Sequence, residues 1–197
     1  MGKSYDRPYF DRWYRAKGRI GSDADLDRKA ALAVAAAELV LGRTVRTALD
    51  VGCGEGRWFQ ALRKLRKGLR YLGIDPSLYA VARFGRSRRI VSGSVANLGE
   101  LDLPGPFDLV VCADVLHYVP DAELRRGLPV LARLTGAVAF LEVQSSADDF
   151  VGDRDGWIGR SPARYRSLFR GAGLAACGLH LYLGPTASEC ASELERT

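Results

Sequence analysis

The sequence predicts an α/β fold in which a mostly parallel, doubly wound sheet carries helices on both faces. Strand-like and helix-like segments alternate regularly from residue 47 onward, which is the pattern of parallel strands joined by helical crossovers. The segment 107–112 is a continuous apolar run, as expected of a central parallel strand buried on both faces. A third observation is that the segment 47–51 leads directly into a glycine-rich loop and then a helix.

The individual elements follow from hydrophobic periodicity and from residues that start or end helices. A first helix is predicted through Leu41, with Asp23 or Asp25 as its cap and Gly42 at its end. Strands are predicted at residues 47–51, 71–74, 89–92, 107–112, 137–143 and 179–183. The helices between them are predicted at residues 57–66, 77–84, 121–134 and 161–170.

Length and composition are those of one globular domain, which we expect to span residues 1–197. Apolar residues make up 47% of the chain and charged residues 26%. No apolar run approaches the roughly 20 residues of a membrane helix, and the N-terminus has no secretory pattern. We therefore expect a cytoplasmic protein that makes no contact with membranes.

The cysteines and the net charge exclude some kinds of site and leave others open. The four cysteines are widely spaced and form no cluster with histidine, so neither a metal site nor a disulfide framework is expected. The formal net charge of +6 could attract nucleic acid, anionic lipid or an acidic small molecule. Because the basic residues are spread along the whole chain, an ordinary solvated surface is the alternative interpretation.

The glycine-rich loop is the most informative motif. Residues 48–57 read ALDVGCGEGR, a strand that runs into three alternating glycines. Such a loop lets a ligand approach bare main chain at the carboxyl ends of the strands. A dinucleotide-binding loop would place its third glycine at position 57, where this chain has Arg57. Asp50 before the loop fits poorly beside a pyrophosphate and suits a ligand with a cationic amine, such as S-adenosylmethionine.

A second acidic residue ends the next predicted strand. Asp75 lies in the segment YLGIDPS at residues 71–77. A carboxylate at this position can accept both hydroxyls of a ribose. The alternative, an acid that only caps a helix or lies in a loop, is disfavoured by its pairing with the glycine loop.

Together, residues 48–56, Asp75 and the segment 107–118 resemble the class I S-adenosylmethionine-dependent methyltransferases, in particular their small-molecule branch. The resemblance covers residues 46–183 and implies a Rossmann-like sheet, S-adenosyl-L-methionine as the cofactor and S-adenosyl-L-homocysteine as its product. The family usually closes its sheet with an antiparallel strand. Here residues 186–197 resemble a C-terminal tail, so we expect a sheet that lacks this last strand.

The resemblance also implies a set of cofactor-binding residues. They are Asp50, Gly52, Cys53 and Gly54 in the glycine loop, Asp75 and Pro76 after the second strand, Ser94 and Val95 after the third, and Cys112 and Ala113 at the end of the fourth. Ser94 is a departure, because the family often has an acid there that contacts the adenine amine.

Methyl transfer requires alignment and exclusion of water, and hydroxyl or ammonium acceptors must also lose a proton. His117 is the predicted catalytic base, with packing or helix capping as the alternative role. Tyr9, Trp13, Tyr14 and Trp157 are predicted to line the substrate, although a purely structural role fits equally well. The aromatic segment 1–22 is predicted to be a moving lid, with permanent packing as the alternative.

These observations favour a methyltransferase that acts on an oxygen or nitrogen of a small molecule, acidic or aromatic in character. One alternative is a protein that kept the fold and binds the cofactor without catalysis. Another is a nucleic-acid methyltransferase, which rests on charge alone and is disfavoured because the expected base-stacking motif is absent. A nucleotide-dependent oxidoreductase is disfavoured by Arg57. The sequence carries no prediction of oligomeric state.

Overall fold

The computed structural model describes residues 5–15 and 21–189, which form one seven-stranded sheet with helices on both faces. The strand order is β3-β2-β1-β4-β5-β7-β6. The strands are β1 (Thr47–Val51), β2 (Arg70–Asp75), β3 (Ile90–Ser92), β4 (Phe107–Ala113), β5 (Thr135–Glu142), β6 (Ala175–Gly178) and β7 (Leu181–Leu183). The doubly wound, mostly parallel sheet predicted from the sequence is confirmed.

The five longer helices lie close to their predicted positions, and a short helix is added near each end of the described chain. The helices are α1 (Arg7–Phe10), α2 (Asp23–Leu41), α3 (Arg57–Leu65), α4 (Leu78–Arg88), α5 (Asp121–Leu134), α6 (Pro162–Gly171) and α7 (Pro185–Ser188). A π-helical turn, Asp11–Arg15, follows α1. The cap of α2 is Ser22, whose hydroxyl accepts the Asp25 N–H, and not one of the two predicted aspartates. Gly42 ends this helix in a left-handed conformation, as expected.

The prediction that the sheet lacks its final antiparallel strand is wrong. Strand β7 runs antiparallel to both β5 and β6 and lies between them. The predicted strand 179–183 is in fact a turn followed by β7, because Gly178, Leu179 and His180 all have left-handed backbones. Strand β6 was missed because its AACG sequence is short and exposed and lacks an alternating apolar pattern.

After β7 the chain forms the short helix α7. The predicted tail 186–197 therefore begins inside a helix, and residues 190–197 lie outside the described part of the chain. The described residues contain no helix that is long and apolar enough to cross a membrane.

Alternating strand residues build a core on each face of the sheet. On one face, Leu49 and Val110 pack beneath α5 and α6. On the other, Ala48 and Leu109 pack beneath α2 and α3. All four side chains are fully buried, which fixes the register of β1 against β4 at the centre of the sheet.

The carboxyl ends of β1, β2, β4 and β5 meet at one edge of the sheet because these strands are parallel. The glycine loop, Asp75 and the residues that follow β4 and β5 therefore come together there. The start of α2 and residues 5–15 lie over the same edge. This edge is the candidate site.

Candidate functional site

The glycine loop presents bare main chain at the end of β1. Gly52, Gly54 and Gly56 all have left-handed φ angles, of 77°, 53° and 75°. The Gly52 N–H donates to the Ile74 carbonyl at 2.7 Å, which ties the loop to β2. A Cβ on Gly52 would lie 2.3 Å from a methyl carbon of Val115, so this position has no room for a side chain.

Asp50 places a buried carboxyl directly beneath this loop. Its side chain accepts a hydrogen bond of 2.6 Å from the Tyr71 hydroxyl, and only 2% of the residue is exposed. Burial and the nearby charge of Asp75 together raise the pKa of Asp50 to about 7, although the hydrogen bond from Tyr71 opposes this effect. A carboxyl in this state gains from a cationic partner, since a positive charge would offset the cost of ionising it.

Asp75 is held by main-chain donors from two elements. One carboxylate oxygen accepts the Gly54 N–H at 2.6 Å and the other accepts the Ser77 N–H at 2.8 Å. Burial raises the pKa of Asp75 although both hydrogen bonds oppose this effect. Each oxygen keeps a further lone pair, so the carboxylate can still accept two hydroxyls. Ser77, not Asp75, caps α4, which removes the helix-cap interpretation of Asp75.

Two cavities lie at this edge of the sheet and have part of their lining in common. The first has a volume of about 330 Å³ and includes Asp50, Ala113 and Lys29 in its lining. The second, of about 210 Å³, includes Asp75. Both are lined by Phe10, Tyr14, Gly52, Gly54 and Asp114. An elongated ligand can therefore lie across the glycine loop with one end at Asp50 and the other at Asp75.

Nine of the ten predicted cofactor-binding residues line these cavities. Asp50, Gly52, Cys53, Gly54 and Ala113 line the first, and Gly52, Gly54, Asp75, Pro76, Ser94 and Val95 line the second. Cys112 is the exception. It is fully buried within the core and lines neither cavity, because alternation along β4 turns its side chain into the core between the sheet and α5.

The predicted catalytic and substrate residues separate into two groups. Tyr9 and Tyr14 line the cavities. His117 lines neither. It is 1% exposed, and its Nδ1 accepts the Gln144 N–H at 3.3 Å. Trp13 and Trp157 also lie outside both linings, Trp13 beneath the Arg12 guanidinium and Trp157 against the Phe150 ring.

Asp114 lines both cavities but was not predicted from the sequence. This residue follows β4 directly, adopts a left-handed backbone with φ of 59°, and donates its N–H to the Glu142 carbonyl at 3.0 Å. Burial, reinforced by the charge of Glu142, raises the pKa of Asp114 to about 6. Its position next to the predicted strand end was the available signal. The sequence did not show that β5 would place Glu142 next to Asp114. The Glu142 carboxylate is paired with the Lys29 ammonium at 2.5 Å.

The segment 5–15 forms the roof of both cavities. Phe10 is 4% exposed, and its ring lies 3.0 Å from where a Cβ on Gly54 would stand. The Ser77 hydroxyl donates to the Tyr5 carbonyl, and the Arg15 guanidinium pairs with Glu55 in the glycine loop. The N-terminal segment is thus attached to the two loops that carry predicted cofactor-binding residues. Residues 1–4 and 16–20 of the predicted lid lie outside the described residues.

Residues 49–137 match a family model described as a methyltransferase domain. A ubiquinone biosynthesis O-methyltransferase of Pseudomonas paraeruginosa is 32% identical over 87 residues, which cover 41% of this chain and 36% of that protein. The chain thus spans about a third of the length of the curated relatives it matches.

Solved structures share the fold. Magnesium protoporphyrin IX methyltransferase from Synechocystis PCC 6803, with bound SAH, is similar with a TM-score of 0.59 and 21% identity, over 86% of each chain. A sugar N-methyltransferase from Streptoalloteichus sp. gives a TM-score of 0.61 and 19% identity, over 87% of this chain and 94% of that one.

Proposed function

We propose that this chain, in which residues 49–137 match a methyltransferase domain, is a class I S-adenosylmethionine-dependent methyltransferase that transfers a methyl group to an oxygen or nitrogen of a small molecule. The observation that carries the proposal is the pair of buried carboxyls, Asp50 in the lining of one cavity and Asp75 in the lining of the other, beside a glycine loop whose Gly52 and Gly54 line both. The name of the Pseudomonas relative supports a small-molecule acceptor.

The residues present fit this cofactor. Asp50 offers its carboxyl to the ammonium of the amino-acid end, and Asp75 offers free lone pairs to the two ribose hydroxyls. Gly52 and Gly54 leave the main chain open to close approach. Pro76 and Val95 give the second cavity an apolar wall suited to an adenine ring, with Ser94 beside them. When bound, the cofactor supplies an electrophilic methyl group on a sulfonium.

On the acceptor side, the protein contributes cover and orientation. Phe10 and Tyr14 lie over both cavities and would shield the reacting atoms from water. Tyr9 joins them on the wall of the second cavity. His117 is buried and lines neither cavity. Asp114, which lines both, replaces it as the proposed proton acceptor.

The test is transfer of an isotopic label. Purified protein is incubated with S-adenosylmethionine that carries a trideuterated methyl group, together with a panel of small amines, phenols and carboxylic acids, and the products are analysed by mass spectrometry. We expect a labelled product with the native protein and strongly reduced labelling with Asp75→Ala. Absence of any labelled product, with the cofactor bound, would contradict the proposal and favour a silent binding protein.

A further inference from the structure

We infer that the methyl acceptor is an amine that enters as a cation and is bound by Asp114 and the tyrosines around the junction of the two cavities. This inference rests on the proposed methyl transfer and names the substrate class. It differs from the acidic acceptor that the basic composition suggested.

The second cavity has the opposite charge to the whole chain. Its charged lining residues are Asp75, Asp114 and Glu123, and within the described part of the chain it includes no lysine, arginine or histidine. The chain as a whole carries a formal charge of +6. A surplus of carboxylates in a basic protein favours cationic over anionic ligands at this place.

The first cavity contains two cations, and both are already paired. The Lys29 ammonium lies 2.5 Å from Glu142, and the Arg57 guanidinium lies 3.1 Å from Asp23. Acidic groups in the same lining include Asp50 and Asp114. An anionic acceptor would therefore have to compete with existing carboxylate partners for either cation.

Aromatic rings surround the junction. The second cavity is lined by Tyr5, Tyr9, Phe10, Tyr14 and Tyr118. The negative faces of such rings attract ammonium groups, most strongly where water is excluded. Burial, with the charge of Asp114 next, raises the pKa of Tyr14 to about 12, so its phenol stays neutral at physiological pH. The rings thus offer π-faces without adding a competing phenolate.

Asp114 is the one carboxylate that lines both cavities within the described residues. Burial and the charge of Glu142 on β5 raise its pKa, while the charges of Lys29 on α2 and Arg57 on α3 and a hydrogen bond with the Gln144 side chain lower it. Tyr14 faces it from the N-terminal segment. The pKa of about 6 leaves Asp114 ionised at neutral pH.

The methyl transfer to an ammonium acceptor begins with the loss of a proton. An ammonium proton of the acceptor passes to the Asp114 carboxylate, which leaves a lone pair on the nitrogen. The nitrogen forms a bond to the methyl carbon while the sulfur–carbon bond breaks and its electron pair stays on sulfur. The products are a methylated ammonium, a neutral thioether and a protonated carboxyl, which later releases its proton to solvent.

Three probes that share a phenyl ring and differ in charge test this inference without knowledge of the natural acceptor. Benzylamine, benzyl alcohol and benzoate are titrated at pH 8 into the complex of the full chain with S-adenosylhomocysteine, by ligand-observed NMR. We expect benzylamine to bind about tenfold more tightly than benzoate, the effect of one favourable ion pair near a partly buried carboxylate. Lowering the pH below about 6 should weaken the binding of benzylamine, because Asp114 becomes protonated.

Asp114→Asn should remove the preference for benzylamine while S-adenosylhomocysteine still binds. Asp102→Asn, a change at an exposed acid outside both linings, serves as the matched control and should leave the preference intact. Equal or tighter binding of benzoate, binding of none of the three probes, or a preference unaffected by Asp114→Asn would overturn the inference. Failure of the native protein to bind S-adenosylhomocysteine would instead contradict the proposed function.

Discussion

At the residue scale, the surroundings of Asp50 favour a cationic ligand. Its buried carboxyl accepts a hydrogen bond from the Tyr71 hydroxyl, and it forms no salt bridge with a cation of the described residues. A fold designed only for stability would avoid such a group. Its presence in a cavity is typical of a site that gains its missing partner from a ligand.

The pH dependence of stability reports on Asp50. Its folded pKa of about 7 exceeds the ordinary value of 3.8, so between these pH values the folded state retains a proton that the unfolded state releases. The contribution of Asp50 to stability therefore falls as pH rises from about 4 to 7 and stays unfavourable above that. Asp50→Asn should stabilise the ligand-free protein by about 2 kcal/mol at pH 8 and have little effect at pH 4.

Thermal unfolding across this pH range provides the measurement, and Asp108→Asn provides a control of opposite sign. Burial raises the pKa of Asp108, but hydrogen bonds from the Arg43 guanidinium and the Arg46 and Thr47 N–H groups outweigh burial and lower it. That variant should lose stability at neutral pH. Destabilisation of the protein by Asp50→Asn at pH 8 would show that Asp50 is not strained in the ligand-free state.

Some site residues could be predicted from the sequence and others could not. Asp50 and Asp75 were predictable because each occupies a fixed position relative to a strand end and the glycine loop. His117 was chosen by residue type, yet the turn after β4 directs it into the interior. The proposed role of Asp114 could not be predicted from the sequence, because its position depends on a left-handed backbone and on the pairing of β4 with β5.

At the scale of elements, the glycine loop and the turn after β4 interlock. A methyl group on Gly52 would overlap Val115, whereas Gly42, with φ of 63°, has nothing within 4 Å. Gly42→Ala should therefore cost only backbone strain, about 1 kcal/mol. Gly52→Ala should cost about 3 kcal/mol, because a clash adds to the same strain, and should weaken cofactor binding.

Denaturant unfolding measures both variants, and the double variant Gly52→Ala with Val115→Ala separates clash from strain. Removal of the Val115 methyls should recover the part of the loss caused by overlap. Equal losses for Gly42→Ala and Gly52→Ala would mean that the loop can shift to accept a side chain, and that the bare main chain is not required.

The N-terminal segment, residues 5–15, is either a lid that responds to ligand or a fixed roof, and its contacts predict the first. Its contacts include the ring of Phe10 over Gly54 and the pair formed by Arg15 and Glu55. Because both partners belong to the glycine loop, a ligand that orders this loop should also hold the segment. Hydrogen exchange of residues 5–15 is expected to slow when S-adenosylhomocysteine binds. Equal protection with and without ligand would identify a fixed roof.

For the molecule as a whole, the parallel half of the sheet was predictable and the antiparallel end was not. Helices α3 and α4 join β1, β2 and β3, and α5 joins β4 to β5, so the sequence pattern and the topology agree in these units. The hairpin of β6 and β7 depends on three consecutive left-handed residues, of which only Gly178 favours that conformation by residue type. Local pattern could not reveal a turn that the neighbouring strand β5 stabilises.

Calorimetric titration of the purified chain with S-adenosylhomocysteine and, separately, with NADH tests whether the two cavities bind the methyltransferase cofactor. We expect saturable binding of S-adenosylhomocysteine with one site per chain. We expect no binding of NADH, because Asp50 favours an ammonium and disfavours a pyrophosphate. Binding of NADH without binding of S-adenosylhomocysteine would contradict the assignment of both cavities and of the family chemistry to this site.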